Sequence, residues 1–240
     1  MGDTTAENNG ASSTYSRGEA RLVNSIHYFS PTWNGFKFGA SYGADETRAY
    51  DANLERTNRQ VYSLGANYVN GGLTVAGGYN RTNDTAFGAT AANGKNLTFY
   101  KLAGSYKFAT GTFVGAGYEF GRFDTTTDTK LKQDDWTVVV GQTFGAATVS
   151  LSYSEIGKLR NATTGSDSDY KAKQWTLGGT YALSKSTSLY GYYTKINNNK
   201  LQNANFANNP VYDTGSGSSA AVLTKGNDPQ AIGVGMKVAF

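Results

Sequence analysis

Ser25 and His27 stand two residues apart in NSIHYFS, and His27 is the only histidine in the chain. On an extended strand, residues i and i+2 share a face. Hydroxyl and imidazole could therefore meet as in a serine hydrolase, with a carboxylate orienting the ring. No third member and no oxyanion hole can be placed around this pair, so no catalytic residue is expected. A lone histidine is equally poor as a metal site. Carboxylates cluster in DTTTDTK, KQDDW and GSDSDY, and one cluster could hold a divalent cation weakly. All three fall where polar loops are expected and read better as solvated loop, so neither metal nor cofactor is expected. The other charged candidates are dispersed. By parity Arg21, His27, Lys37, Arg59, Lys101, Lys107 and Lys237 point to one side of extended strands, with Glu119 on the same side. Such a lining acts on passing ions through its field and through the width it leaves.

The elements that would carry these residues are short and alternating. The 240 residues include 30 Gly, 17 Tyr and only 3 Pro, a composition that favours an all-β chain. Hydrophobic residues make up 38%, too few for an ordinary core of this size. The absence of Cys removes disulfides and thiol chemistry. A net charge of +4 with Lys and Arg spread evenly gives no nucleic-acid tail. No apolar stretch reaches the roughly 18 residues of a membrane helix. The opening MGDTTAENNGASSTYSR reads as lacking a secretion signal.

Counting alternation gives about eleven candidate strands, each near the roughly 9–11 residues of a membrane-crossing strand. VYSLGANYV sets Tyr62, Leu64, Ala66 and Tyr68 against Ser63, Gly65 and Asn67. QWTLGGTYAL sets Trp175, Leu177, Gly179, Tyr181 and Leu183 against Thr176, Gly178 and Thr180. In AIGVGMKVAF, Ile232, Val234, Met236, Val238 and Phe240 share one face. FVGAGYEF leaves Phe113 and Glu119 on the polar side, and SLYGYYTKI resists assignment because aromatic residues occupy both parities. Links alternate in length. Short ones fall at SPTWNG, VNGG, FATGT, FGAA and LSKST. Long polar ones run over 44–59, 82–95, 122–135, 157–170 and 197–228. One apolar face with aromatics near the strand ends, one polar face and loops long at one end only: this is the pattern of a transmembrane β-barrel.

Three stretches resemble the trimeric general porins of Gram-negative outer membranes, the betaproteobacterial group in particular. They are RLVNSIHYFSPTWNGFKFGASYG, TYALSKSTSLYGYYTKINN and the terminal AIGVGMKVAF. The resemblance implies an antiparallel transmembrane meander β-barrel of about sixteen strands, of which this chain would hold about 11, the sixth to the sixteenth. The whole of 1–240 would then be a partial barrel domain, N-terminally truncated. Residues 1–20 would be the remnant of the inward-folded constriction loop, and 21–240 the strands and loops. A genuinely short barrel with one more strand hidden in 1–18 is the other reading.

The resemblance also implies a function: passive diffusion of small hydrophilic solutes and ions through a water-filled channel in the cell outer membrane. The basic excess suggests a weak anion preference. Arg21, Ser25, His27, Lys37, Arg59, Lys101 and Glu119 are the expected pore-lining or constriction residues, and Arg21 matches the family's wall arginine. Phe240 would be the signal read by the outer-membrane assembly machinery. Expected partners are the lipid bilayer, lipopolysaccharide and two further copies in a homotrimer, with no nucleic acid. A non-conducting barrel with ligand-binding external loops, an adhesin or structural protein, is the alternative.

Overall fold

The computed structural model describes residues 24–45, 48–89, 91–206, 210–213 and 223–239. Arg21, Phe240 and the segment 1–20 lie outside the described residues. The described chain forms eleven strands: β1 (Ser25–Phe29), β2 (Phe36–Gly43), β3 (Val61–Asn70), β4 (Leu73–Asn83), β5 (Asn96–Lys107), β6 (Thr112–Asp124), β7 (Lys130–Phe144), β8 (Ala147–Ile156), β9 (Ala172–Ala182), β10 (Thr187–Asn198) and β11 (Gln230–Val238). They make one sheet in chain order, every neighbouring pair antiparallel. No described helix is long and apolar enough to cross a membrane.

Between the rims the register keeps the two faces distinct. Ser41 opposes Ser63 and Ser63 opposes Asn80 on the polar face, while Leu64 opposes Tyr79 on the other. At the far side Ser150 opposes Gly178, and Leu151 opposes Leu177. Nothing among the described residues packs on the apolar face: Ile232 is 81% exposed and Val234 84%. A water-soluble protein rarely leaves a continuous apolar face of this extent bare. In hydrocarbon it is the favourable arrangement, because the paired backbone satisfies its own polar groups and the side chains meet lipid. Trp175 and Leu177 are likewise exposed on this face, whereas Ser150 lies on the other.

Links are short at one end of the sheet. Asn34 and Gly35, both at positive φ (47° and 85°), turn β1 into β2, the two-residue geometry whose twist matches that of the strands. Gly71 and Gly145 turn the next such hairpins at φ 56° and 58°. At the other end, long links join β2 to β3, β4 to β5, β8 to β9 and β10 to β11. The expected long loop at 122–135 is corrected. β6 runs to Asp124 and β7 starts at Lys130, so only five residues turn there. The two strands outlast the others because Leu131 and Gln133 face inward and are buried, so pairing continues beyond the neighbouring rims. KQDDW consequently lies on β7 and not in a loop.

Among the described residues, small apolar cores sit only at the long-loop end of the polar face. Leu97, Phe99, Phe123 and Leu131 pack with Leu159 from the β8–β9 link, and Ile156, Ala172 and Ile196 pack with Ala204 from the β10–β11 link. The polar face is thus roofed at that rim by loops folded over it.

Replacing Val234 by Lys puts a charge on the bare apolar face and is expected to destabilise the folded protein in bilayers by about 2–4 kcal/mol. The change Ser150→Lys on the polar face should stay under about 1 kcal/mol. Denaturant titration of the protein folded into vesicles measures both, and equal effects would overturn the assignment of the faces.

Candidate functional site

The wetted face of the sheet is the candidate site. Its strand-borne charges are Lys37, Lys101, Lys107 and Lys237, against Glu119 and Asp135. Each is placed by register: Lys37 opposes Asn67, Lys107 opposes Phe113, and Lys237 opposes Ser188. Lys101, Glu119 and Asp135 form a row across three strands, each opposite the next. The Lys101 ammonium lies 2.9 Å from Glu119 Oε2, an ion pair. Glu119 and Asp135 are buried and Lys101 is partly so. Ion pairs held away from water retain most of their attraction and resist screening by salt. Lys101 and Glu119 therefore form a rigid, mutually compensated part of the wall with Asp135 buried beside them, whereas Lys37, Lys107 and Lys237 are exposed and make no ion pair among the described residues.

Ser25 and His27 do meet. Ser25 Oγ lies 2.8 Å from His27 Nε2, and His27 Nδ1 lies 2.8 Å from Ser41 Oγ on β2. Both ring nitrogens are thus engaged by hydroxyls, and the orienting partner is a serine where a hydrolase needs a carboxylate. The imidazole also lies parallel to the Phe29 ring, 6.4 Å between centroids. Arg59 stands in the link two residues before β3, its backbone N–H donating to Asp45 Oδ2 at 2.8 Å. Asp135 escaped the sequence reading because KQDDW carries polar residues at both parities and looks like loop. Only the partner Glu119 across the strand reveals it.

The carboxylates of the long links hold backbone. Asp51 Oδ1 accepts from the N–H groups of Asn53 and Glu55, both at 2.9 Å. Asp84 accepts from Asn58 and Gly94, tying the β2–β3 link to the β4–β5 link. Asp213 accepts from Thr224 across the β10–β11 link. Among the described residues no group of three or more metal-ligating side chains converges.

On the apolar face, rings line the long-loop end. Tyr42 meets Tyr62, Tyr79 meets Tyr100, and Trp136, Tyr153 and Trp175 form a continuous row with centroids 5.0 and 4.4 Å apart. Tyr68, Tyr106 and Tyr181 stand six residues along their strands from Tyr62, Tyr100 and Trp175 toward the short turns, about 20 Å at the usual strand rise. Two aromatic belts at that spacing mark the two headgroup levels of a bilayer.

Residues 1–201 match the family described as Gram-negative porin. The chain belongs to that family. Its strands therefore lie in the outer membrane of a Gram-negative cell, and the sheet is the wall of a porin barrel. An outer membrane porin protein of Bordetella pertussis is 30% identical over 207 residues, covering 72% of this chain and 51% of that protein. Outer membrane porin protein 32 of Delftia acidovorans is 27% identical, covering 92% and 57%. This porin chain spans about half the length of the curated relatives it matches. The fold is similar to that of an anion-selective porin from Comamonas acidovorans, with TM-score 0.71 at 23% identity over 91% of this chain and 60% of that one. It is also similar to the trimer form of OmpT from Vibrio cholerae, with TM-score 0.61 at 18% identity over 90% and 64%.

The hydrogen bond from the Glu55 N–H is the chief cause holding the Asp51 carboxyl below the ordinary value of 3.8, and the Thr224 hydroxyl does the same for Asp213. A depressed carboxyl contributes stability above its unfolded value and loses it as pH falls through the folded one. Loop order at these sites is therefore expected to persist below pH 3.8. Amide NMR of Glu55 and Thr224 during acid titration should give midpoints under 3.8; midpoints at or above it would show that the bonds do not hold in solution.

Proposed function

We propose that this porin forms a water-filled channel for passive diffusion of small hydrophilic solutes and ions, with a weak preference for anions. The observation that carries the reading is the charge of the wetted wall. Lys101 is neutralised by Glu119, while Lys37, Lys107 and Lys237 stay exposed. An excess of fixed cations in a narrow aqueous space raises the local anion concentration and disfavours cations. Ser25 and His27 add polar, uncharged lining, and Arg21 and Arg59 are proposed to complete the basic side of the constriction. The selectivity named for the Comamonas acidovorans protein and the assembly named for the Vibrio cholerae protein support an anion preference and a homotrimer. Among the described residues no carboxylate orients His27, and the family reading is a channel and not an enzyme.

The apolar face supports a partner as well. Just beyond the long-loop aromatic belt, Arg81, Arg122, Lys132, Lys173 and Lys195 stand on five strands, all on the lipid side by register. Arg81 and Arg122 follow Tyr79 and Phe120 by two residues, and Lys173 and Lys195 flank Trp175 and Tyr193 by two. Glu155 opposite Lys173 and Asp134 beside Lys132 share this face, and the row, cationic on balance at that depth, fits the phosphates of lipopolysaccharide. The assembly machinery is proposed to read β11 and Phe240.

Reversal potentials of the intact protein in planar bilayers under a potassium chloride gradient should show chloride favoured over potassium. Lys37→Glu should shift the ratio toward potassium, and clear cation preference in the unaltered protein would overturn the reading. The double variant R122E/K173E should co-purify with less lipopolysaccharide at unchanged conductance, and undiminished co-purification would remove that partner.

A further inference from the structure

The stretch SLYGYYTKI carries tyrosines at both parities because two of its three do a different task from the third. Tyr193 faces lipid, opposite Leu177. Tyr190 and Tyr192 lie on the wetted face, opposite Gly235 and Gly233 of β11. Their rings fall across the neighbouring strand onto those glycines. A Cβ on Gly233 would come within 2.5 Å of Tyr192 Cε1, and one on Gly235 within 2.5 Å of Tyr190 Cζ. The rings are thus laid along the wall, each keeping two-fifths of its surface in water: 43% for Tyr190 and 42% for Tyr192.

Three features mark this pair. First, neither ring stacks on another among the described residues, whereas Tyr42, Tyr79 and Tyr153 all do. Second, neither hydroxyl has a hydrogen-bond partner there, whereas those of Tyr62, Tyr153 and Tyr193 bond to side chains. Third, a cation stands beside them. Lys237 is exposed on the same face, two residues beyond Gly235 and opposite Ser188. Two residues of strand rise about 6.6 Å, a distance one aromatic ring with its carboxylate can bridge.

We propose that Tyr190, Tyr192 and Lys237 form a shallow solute site on the channel wall near the short-turn mouth, and that it takes small aromatic carboxylates. The solute's ring lies against the tyrosine rings, its carboxylate accepts from the Lys237 ammonium, and the free tyrosine hydroxyls are available to its polar edge. This rests on the channel reading above. The rival account is that the rings do nothing but cover two glycines in the last hairpin.

The test uses the intact protein in planar bilayers, with benzoate as the probe. Ordinary chloride conductance is recorded first, and its absence would count against the channel and not against this site. Where the channel conducts, benzoate added on the short-turn side should interrupt the current at concentrations where acetate and benzamide do not. Acetate lacks the ring and benzamide lacks the charge. The variant Y190L/Y192L keeps apolar cover over the glycines, and should weaken the benzoate effect by roughly 2- to 12-fold for each tyrosine ring removed. K237Q should bring benzoate to the level of benzamide. Equal response to benzoate and acetate in the unaltered protein overturns the proposal without any variant. So does undiminished block in a conducting Y190L/Y192L channel, which would leave the rings a covering role only.

Discussion

The backbone of a chain in hydrocarbon has no water to bond with, and every peptide group left unpaired costs several kcal/mol. That constraint dictates most of what is seen here. Strands pair along nearly their whole length, each with the next in sequence, whether a short turn or a long link joins them. Continuous pairing fixes register, and register with a period of two fixes which residues meet lipid. Nothing else in the molecule has the reach to enforce such order, since the only buried apolar clusters among the described residues sit at one rim.

The same constraint explains why one end of the sheet can vary and the other cannot. At the short-turn end the chain must reverse within a few residues, so Asn34, Gly35, Gly71 and Gly145 supply positive φ. Beyond the opposite rim there is water, and the backbone is released from strict pairing. Loops there satisfy themselves with carboxylates, as Asp51 and Asp84 do, and fold Leu159 and Ala204 over apolar residues of the strands. The buried row of Lys101, Glu119 and Asp135 stands below this roof. Its pairing keeps a lysine in place without giving its field to the water, which leaves the exposed lysines to set the sign of the wall.

Where periodicity ruled, the sequence was legible: the strands, their faces and the belts all follow from a two-residue period. It failed where a residue answers to something far along the chain. Leu97, Ile156 and Ile196 break the polar face, and nothing local says why. Their partners arrive from links dozens of residues away or from neighbouring strands. The span 122–135 looks like loop because both parities are polar there, yet above the membrane a strand has no lipid side to keep apolar. Of the candidate site, the positions of Ser25, His27, Lys37, Lys101 and Glu119 on one face could be read by parity. That Glu119 is buried against Lys101, and has Asp135 beside it, could not.

The tyrosines of β10 show the limit most clearly, and also its use. Parity assumes that a residue's size and polarity are chosen for the medium it faces. Tyr190 and Tyr192 are instead matched to the strand beside them, large where Gly235 and Gly233 leave no side chain. A glycine in a membrane strand removes bulk and weakens local pairing, so a ring laid over it restores contact. A leucine would do that as well, and would not need a hydroxyl. A tyrosine set there, on the watery side and with its oxygen unengaged, presents to the channel a flat apolar face with a polar edge. Covering a glycine explains the size of these residues. It does not explain their chemistry, and the chemistry faces the proposed solute path.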